Sequence, residues 1–163
     1  MLPPDQIKAI ASGQRKQTRK LLDDLSGMKD REVDALFHDA HDAVFARTDC
    51  MTCANCCKTT GPLFNQQDID RLAHHLGLRP GSFVESYLRV DEDGDLVLRS
   101  VPCPFLEEDN ACGVYEIRPK ACRTYPHTDR RRQSGILDLT ATNAEICPAV
   151  FEILQVIRRN LDC

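Results

Sequence analysis

Four cysteines within eight residues constrain this chain more than any other feature of its sequence. Cys50, Cys53 and Cys56 follow one another at Cys-x-x-Cys spacing, and Cys57 comes directly after them. This spacing lets a tight loop turn three sulfurs toward one point, as in thiolate metal loops. Adjacent side chains diverge, so Cys56 and Cys57 are an awkward pair for one ion. We therefore expect Cys50, Cys53 and Cys56 to share a site with one distal cysteine. One of the adjacent pair would then reach a second metal, another face of a cluster, or the core.

Four more cysteines lie downstream of this loop: Cys103, Cys112, Cys122 and Cys147. Pro104 and Pro148 each restrict the preceding cysteine to an extended conformation, which fixes the direction of two of these segments. Eight thiolates are enough for two four-sulfur sites, or for one cluster with spare thiols. Zinc and iron–sulfur clusters both accept tetrahedral sulfur, so the cysteines predict an iron–sulfur cluster or zinc without choosing between them.

Other uses of cysteine explain this set less well. A single cysteine is often a small buried hydrophobe, and Cys163, at the end of the sequence, fits that interpretation. The interpretation is poor for Cys50, Cys53 and Cys56 together, because clustered thiols without a metal are prone to oxidation. Disulfides are the remaining alternative, and they would require export or a redox-sensing role.

Composition narrows the class of protein. Hydrophobic residues make up 42% and charged residues 28% of the 163 residues, which is typical of globular chains rather than disordered or collagen-like ones. The net charge of −4 gives no general footprint for nucleic acid. The N-terminus lacks the apolar core of a signal peptide, and no segment approaches the roughly 18 apolar residues of a membrane helix. We therefore expect a cytoplasmic protein that binds neither nucleic acid nor membranes.

Apolar periodicity predicts a helical hairpin ahead of the cysteines, over residues 1–48. One helix spans residues 4–26, Gly27 ends it, and Asp30 can cap a second helix. The second helix carries an apolar stripe that can pack over the cysteine region or contact a protein partner: Val33, Phe37 and Val44. The sequence does not indicate an oligomeric state.

Residues 49–163 mix turns, short helices and a hairpin with the cysteines. Asn65 and Asp68 form an N-cap signal for a helix that Gly77 ends, and Pro80 can open another short helix. Asp93-Gly94 predicts a β-hairpin turn. The last amphipathic helix begins at Pro148 and runs to Leu161. The pattern indicates an α+β fold: a small cysteine-rich metal-binding domain with short hairpins and helices, preceded by the helical hairpin.

The cysteine motifs resemble those of a known family. Cys-x2-Cys-x2-Cys-Cys at 50–57, Cys103-Pro-Phe-Leu, and the run Cys112-Gly-Val-Tyr-Glu-Ile-Arg-Pro-Lys-Ala-Cys122-Arg-Thr-Tyr-Pro are similar to the YkgJ-type cysteine-cluster family. That family is described as a zinc- or iron-chelating domain, and its members are often labelled iron–sulfur proteins. The resemblance covers more than half of the chain, from about Cys50 to Cys147, and implies a metal domain while leaving the biological role open.

Two arginines flank Cys122 within this motif. Arg118 and Arg123 could offset the negative charge of several thiolates and so contribute to cofactor binding. The alternative, which the sequence supports equally, is that they pair with nearby carboxylates. His127 could add a nitrogen ligand, although a lone loop histidine is more often a surface residue. His38 and His41, three residues apart on the second predicted helix, are explained more simply by a polar helix face.

These observations predict a metal-binding protein that holds an iron–sulfur cluster or zinc through clustered cysteine thiolates. One alternative is a metal-dependent redox or transferase enzyme, which would need an open metal position or a reactive thiol beside Arg118 or Arg123. The other is a zinc-stabilised protein-interaction module that uses the N-terminal helices. Burial of the apolar stripe on the second helix against the cysteine domain would weaken the last alternative, and exposure would support it.

Overall fold

A computed structural model describes residues 2–162. The helices and strands, in chain order, are α1 (Ile7–Gly13), α2 (Arg15–Ser26), α3 (Asp30–Phe45), α4 (Cys50–Cys53), α5 (Asn55–Thr59), α6 (Gln66–His75), α7 (Pro80–Tyr87), β1 (Leu88–Val90), β2 (Leu96–Leu98), a 3-10 helix (Tyr115–Ile117), α8 (Lys120–Thr124), a second 3-10 helix (Gln133–Ile136), α9 (Leu137–Ala144) and α10 (Pro148–Leu161). Their internal contacts divide the described residues into two compact units. We call residues 2–49 with 126–162 the helical unit, and residues 50–125 the cysteine unit.

The helical unit is built on the packing of α3 against α10. Helix α3 buries one face at three- and four-residue steps, and the side chain of Phe37 at its centre is fully inaccessible to solvent. The matching face of α10 is also buried, and α1, α2 and α9 contribute to the same core. That core contains the stripe predicted for partner contact: Val33, Phe37 and Val44. Because the chain itself covers this stripe, a partner of the N-terminal helices would have to contact other residues, and the partner stays a prediction.

The predicted helices of this unit are found with two differences. The segment expected as one helix over residues 4–26 is two helices, α1 and α2, which meet at Gln14. Helix α9 has no counterpart in the sequence analysis. The helix expected from Pro148 to Leu161 is α10, with the predicted bounds.

The cysteine unit contains the predicted small sheet and caps, so the expected α+β class is confirmed. Strands β1 and β2 form an antiparallel hairpin in which Leu88 pairs with Leu98. The side chain of Asn65 accepts a hydrogen bond from the Asp68 amide and completes a capping box at the start of α6. After this helix Gly77 adopts φ +67°, the left-handed conformation that favours glycine. The apolar core of the unit is small: Phe64, Ile69, Leu72, Ala73, Phe83, Leu88, Leu98 and Val114.

The C-terminal helix belongs by its contacts to the helical unit, where it packs on α3. The sequence analysis groups it with the cysteines in a domain over residues 49–163. The boundary between residues 48 and 49 stays a prediction. Cys163, interpreted above as a buried hydrophobe, lies outside the described residues. Every helix within residues 2–162 is too short or too polar to cross a bilayer.

Candidate metal centre

The first cysteine loop folds as two short helical turns. Helix α4 carries Cys50 and Cys53, α5 carries Cys56 and Cys57, and Ala54 joins them with φ +47°. This left-handed residue redirects the chain between the two turns, which a straight helix could not do. Cys50 is exposed, whereas the other three cysteines are half-buried. The described cysteines are thiols rather than disulfides.

Adjacent thiols of this loop interact with each other. A hydrogen bond from the Cys56 thiol to the Cys57 sulfur lowers the pKa of Cys57 to about 7; burial acts in the opposite direction and the charge of Lys58 in the same direction. A thiol with such a pKa is partly a thiolate at neutral pH, and thiolates rather than thiols bind metals. Cys57 is therefore already suited to ligation in the fold described here.

A turn after Cys103 points backbone amides at its sulfur. Burial raises the pKa of the Cys103 thiol, and hydrogen bonds from the backbone N–H groups of Phe105 and Leu106 act against burial. Amides that donate to a cysteine sulfur stabilise it as a thiolate, the form required of a metal ligand. The Cys103 amide donates to the carbonyl of Cys57 at 2.8 Å, which ties this turn to the first loop.

Cys112 and Cys122 come from two further segments. Cys112 forms an isolated antiparallel bridge with Leu106, and the next amide, that of Gly113, donates to Phe105 O at 2.9 Å. Cys122 lies on α8, where burial raises the pKa of its thiol to about 12. The charges of Cys57, Cys103 and Cys112 raise the Cys122 pKa further, and Arg118 opposes them.

Four cysteines of the cysteine unit thus lie within electrostatic range of one another, and we call them the inner thiols: Cys57, Cys103, Cys112 and Cys122. Each repels negative charge on its neighbours, so all four ionise together only if a cation compensates them. Within residues 2–162, no group of three or more His, Cys, Asp or Glu side chains is arranged to hold a metal ion. The inner thiols are therefore electrostatic neighbours and not a formed metal cage.

The sequence analysis missed an ion pair on α6 that holds the segment before Cys122. Asp68 is 1% exposed, and its Oδ1 accepts Arg71 Nη2 at 2.5 Å and the Lys120 amide at 3.1 Å. Arg71 donates from Nε to Ile117 O at 3.0 Å and from Nη2 to Arg118 O at 3.1 Å. The pair therefore fixes three backbone groups between Cys112 and Cys122. In the sequence Asp68 is recognisable as a helix cap, and its i,i+3 spacing to Arg71 is the signal that indicates the pair.

The two arginines of the motif have different surroundings. The Arg118 guanidinium stacks on the ring of Tyr115, 3.8 Å from its centroid, and donates from Nη1 to the Tyr115 carbonyl at 2.6 Å. It also lies close enough to Cys122 to lower the pKa of that thiol. Arg123 is exposed on α8. Of the two, Arg118 is the one that the described contacts connect to the inner thiols.

The remaining candidates lie in the helical unit. Cys147 is the N-cap residue of α10 and packs partly buried against the helical core. His127 has φ +70°, and burial lowers the pKa of its imidazole. His41 Nδ1 lies 2.8 Å from Thr128 Oγ1, and His38 Nε2 lies 3.2 Å from the Arg130 carbonyl. These two histidines of α3 thus hold the loop that follows residue 126, instead of facing only solvent.

Comparison with known proteins gives one family. The model of the CxxCxxCC family, described as “Putative zinc- or iron-chelating domain”, matches residues 49–148. The match includes all eight cysteines predicted as ligands and excludes Cys163. Neither the curated proteins nor the solved structures contain a match to this chain.

Proposed function

This chain belongs to the CxxCxxCC family, and from that premise we propose that its cysteine unit binds zinc or iron through thiolates. The ligands in this proposal are the inner thiols: Cys57, Cys103, Cys112 and Cys122. Iron can be present as a single ion or as an iron–sulfur cluster, since each is held by four cysteine sulfurs. The bound metal would link four separate segments of a unit that has a small apolar core.

The observation that carries the proposal is the convergence of separate cysteine segments: the Cys103 amide donates to Cys57 O at 2.8 Å, and the turn after Cys103 pairs with Cys112 through Leu106. Burial and the neighbouring charges raise the pKa values of Cys103 and Cys122. Without a cation these two thiols stay protonated and neutral, whereas a divalent metal or a cluster binds them as thiolates and displaces their protons. The two amides at the Cys103 sulfur also match the hydrogen bonding that tunes thiolate ligands. The donor set therefore fits a soft, thiolate-binding metal better than magnesium or calcium.

Arg118 supports this proposal through charge. Four thiolates on Zn²⁺ leave a net charge of −2 on the site, and a guanidinium nearby offsets part of it. Stacking on Tyr115 fixes the guanidinium in place. We propose that Arg118 stabilises the loaded site without ligating the metal, because a guanidinium is a hydrogen-bond donor only.

The other predicted ligands remain part of the proposal in a second role. Cys50, Cys53 and Cys56 immediately precede Cys57 and offer a second donor set at Cys-x-x-Cys spacing. Cys147, which lies in the helical unit, stays a predicted ligand. Metal stoichiometry distinguishes the two cases, since one site gives one metal centre per chain and two sites give two.

The test is metal analysis of single Cys→Ser variants after purification without oxygen. We expect Cys112→Ser and Cys122→Ser to lose metal from the inner site, while Cys163→Ser, outside the family match, keeps the wild-type content. Iron with acid-labile sulfide identifies a cluster, iron alone a mononuclear site, and zinc without colour a zinc site. The proposal is wrong if the wild-type chain carries no metal, or if Cys112→Ser and Cys122→Ser both keep a full complement.

A further inference from the structure

The buried ion pair of α6 does more than hold a helix. We propose that Asp68 and Arg71 are positioning residues for the metal site, which fix the orientation of the Cys112–Cys122 segment before metal binds. This inference rests on the proposed function of the inner thiols. It adds two residues that are neither ligands nor part of the cysteine motif.

The hydrogen bonds of the pair are concentrated at one place in the chain. The 3-10 helix ends at Ile117 and α8 begins at Lys120, so the last carbonyls of one helix and the first amide of the next lie at helix ends, where intrahelical partners are missing. The Arg118 amide and the Pro119 carbonyl have backbone partners, Tyr115 O and Arg123 N. Pro119, which lies between, has no N–H to contribute. Arg71 binds the carbonyls of Ile117 and Arg118, and Asp68 binds the amide of Lys120. The pair therefore completes the hydrogen bonding of this junction.

The junction sets the direction of α8 and thereby of Cys122. Lys120 is the first residue of α8, and Cys122 follows two residues later on the same short helix. On the other side, the 3-10 helix is joined to Cys112 by a hydrogen bond from the Tyr115 amide to Cys112 O at 3.1 Å. Fixing the junction thus restrains two ligands at once, one on each side of Pro119.

The chemistry of the Asp68–Arg71 pair suits it to orienting the Cys112–Cys122 backbone better than to stabilising the fold alone. The side chain of Asp68 is 2% exposed and that of Arg71 is 30% exposed, so both ions have lost most of their water. A buried ion pair gains little over apolar residues of the same volume, because desolvation offsets the attraction. What it provides is direction: the planar guanidinium donates to one carboxylate, to two carbonyls of the junction and, at 3.5 Å, to Gln67 O of its own helix. Apolar side chains could fill the space but could not orient these backbone groups.

Asp68 has a second set of contacts, which supplies a matched control. Its amide donates to Asn65 Oδ1 at 2.8 Å within the capping box at the start of α6. Asn65→Ala removes this cap and weakens the same helix, but it leaves the side-chain contacts of Asp68 with Arg71 and Lys120 intact. Asp68→Asn keeps the size of the side chain and removes its charge, and Arg71→Lys keeps the charge and removes the fork.

The experiment titrates the metal-free full-length chain with Co²⁺ alone and records affinity, by chelator competition, together with the thiolate-to-cobalt and ligand-field absorption bands. We expect Asp68→Asn and Arg71→Lys to weaken binding by about 10- to 100-fold, the usual effect of losing groups that orient ligands, and to alter the ligand-field bands. Asn65→Ala should retain the wild-type bands and bind within about threefold of wild type, because it leaves the junction contacts in place.

The outcomes separate this inference from the function on which it rests. If the wild-type chain shows no thiolate-to-cobalt band, the proposed metal site itself is wrong. If wild type binds and both Asp68→Asn and Arg71→Lys match Asn65→Ala in affinity and spectrum, the pair is only structural and the inference is overturned. Should Asp68→Asn fail to fold, Arg71→Lys decides by the same criteria, because it preserves the opposite charge beside Asp68.

Discussion

The two units of this chain contain similar numbers of residues but very different amounts of apolar core. Among the residues that the structure describes, 17 buried apolar side chains form the core of the helical unit and 8 form that of the cysteine unit. The helical unit uses long amphipathic helices such as α3 and α10. The cysteine unit uses short turns, a two-stranded hairpin and a buried ion pair.

This difference indicates that the units obtain their stability from different sources. Burial of apolar surface contributes roughly 25 cal/mol per Å², so the helical unit can be stable through packing alone. The cysteine unit has a smaller apolar core, and binding of a metal by its thiolates would add the free energy that this core does not supply. We therefore expect the helical unit to respond to core substitutions and the cysteine unit to respond to metal.

Removal of the metal is expected to change the stability of the cysteine unit more than any substitution below changes the stability of either unit. A structural zinc contributes about 10–16 kcal/mol in apparent terms, more than the whole stability of many small domains. Chelation of the loaded chain should therefore lower amide protection most in the segments that carry the inner thiols, residues 103–125, and less in α6, where the capping box and the Asp68–Arg71 pair do not depend on metal. The amides of α3 and α10 should stay protected. Hydrogen exchange with and without chelator measures both, and equal loss in the two units would contradict the comparison.

Truncation of a core side chain should lower the stability of the helical unit. Phe37 is fully buried at the centre of α3, so Phe37→Ala should lower the free energy of unfolding of the helical unit by about 3–5 kcal/mol. Because packing rather than metal carries this unit, the loss should be the same with and without metal. Urea unfolding followed by helical circular dichroism provides the measurement. Leu139→Ala is the control, since Leu139 is 42% exposed and its truncation should change stability by less than about 0.5 kcal/mol.

A smaller loss of stability, which depends on pH in a defined way, is expected for Asp34→Asn. Partial burial raises the pKa of this carboxyl, but hydrogen bonds from the backbone amides of Gln133 and Arg132 outweigh it and hold the pKa below its usual value of 3.8. The carboxylate thus caps the second 3-10 helix, and removing its charge by Asp34→Asn should cost about 1 kcal/mol at pH 7.

The sign of this pH dependence follows from the lowered pKa. A carboxyl with a depressed folded-state pKa stabilises the fold above its unfolded pKa, and this stabilisation is lost as the pH falls through the folded value. The stability difference between wild type and Asp34→Asn should be constant above about pH 5 and should shrink below about pH 4. A difference that stays constant down to pH 2 would show that Asp34 is not charged when it caps the helix.

The smallest expected effect concerns an exposed ion pair of the helical unit. Arg19 Nη1 contacts Asp138 Oδ1 at 2.8 Å, with side chains 61% and 89% exposed. Exposed pairs of this kind contribute about 0–1 kcal/mol and weaken with salt. Arg19→Ala should therefore shift the unfolding free energy by less than about 0.5 kcal/mol at moderate salt. A larger loss would mean that surface charge, and not only the apolar core, holds this unit together.

Elements with strong local signals could be predicted from the sequence. Helix α10 follows an uninterrupted apolar period after Pro148, and the helix that starts at Asn65 has both partners of its capping box. Helix α9 has no such signal, because Thr, Asp and Asn, which are weak helix formers, make up half of Leu-Asp-Leu-Thr-Ala-Thr-Asn-Ala and leave no clear apolar period. It is a helix through tertiary packing, which residue periodicity does not report.

At the metal site, too, contacts between residues close in sequence can be predicted, whereas contacts between distant segments cannot. Spacing groups Cys50, Cys53 and Cys56 because they are close in sequence. The electrostatic contacts of the inner thiols join segments up to 65 residues apart, from Cys57 to Cys122, and depend on how α6, the hairpin and α8 pack. The bonds of Arg71 to Ile117 and Arg118 likewise cross more than 40 residues. Neither could be derived from local spacing.

The most direct test of a thiolate-held cysteine unit is X-ray absorption at the metal edge of the full-length chain purified without oxygen. The account predicts a first shell of four sulfur neighbours at about 2.3 Å, for zinc and iron alike. A first shell dominated by nitrogen or oxygen at about 2.0–2.2 Å would contradict it, because the inner thiols would then not be the ligands.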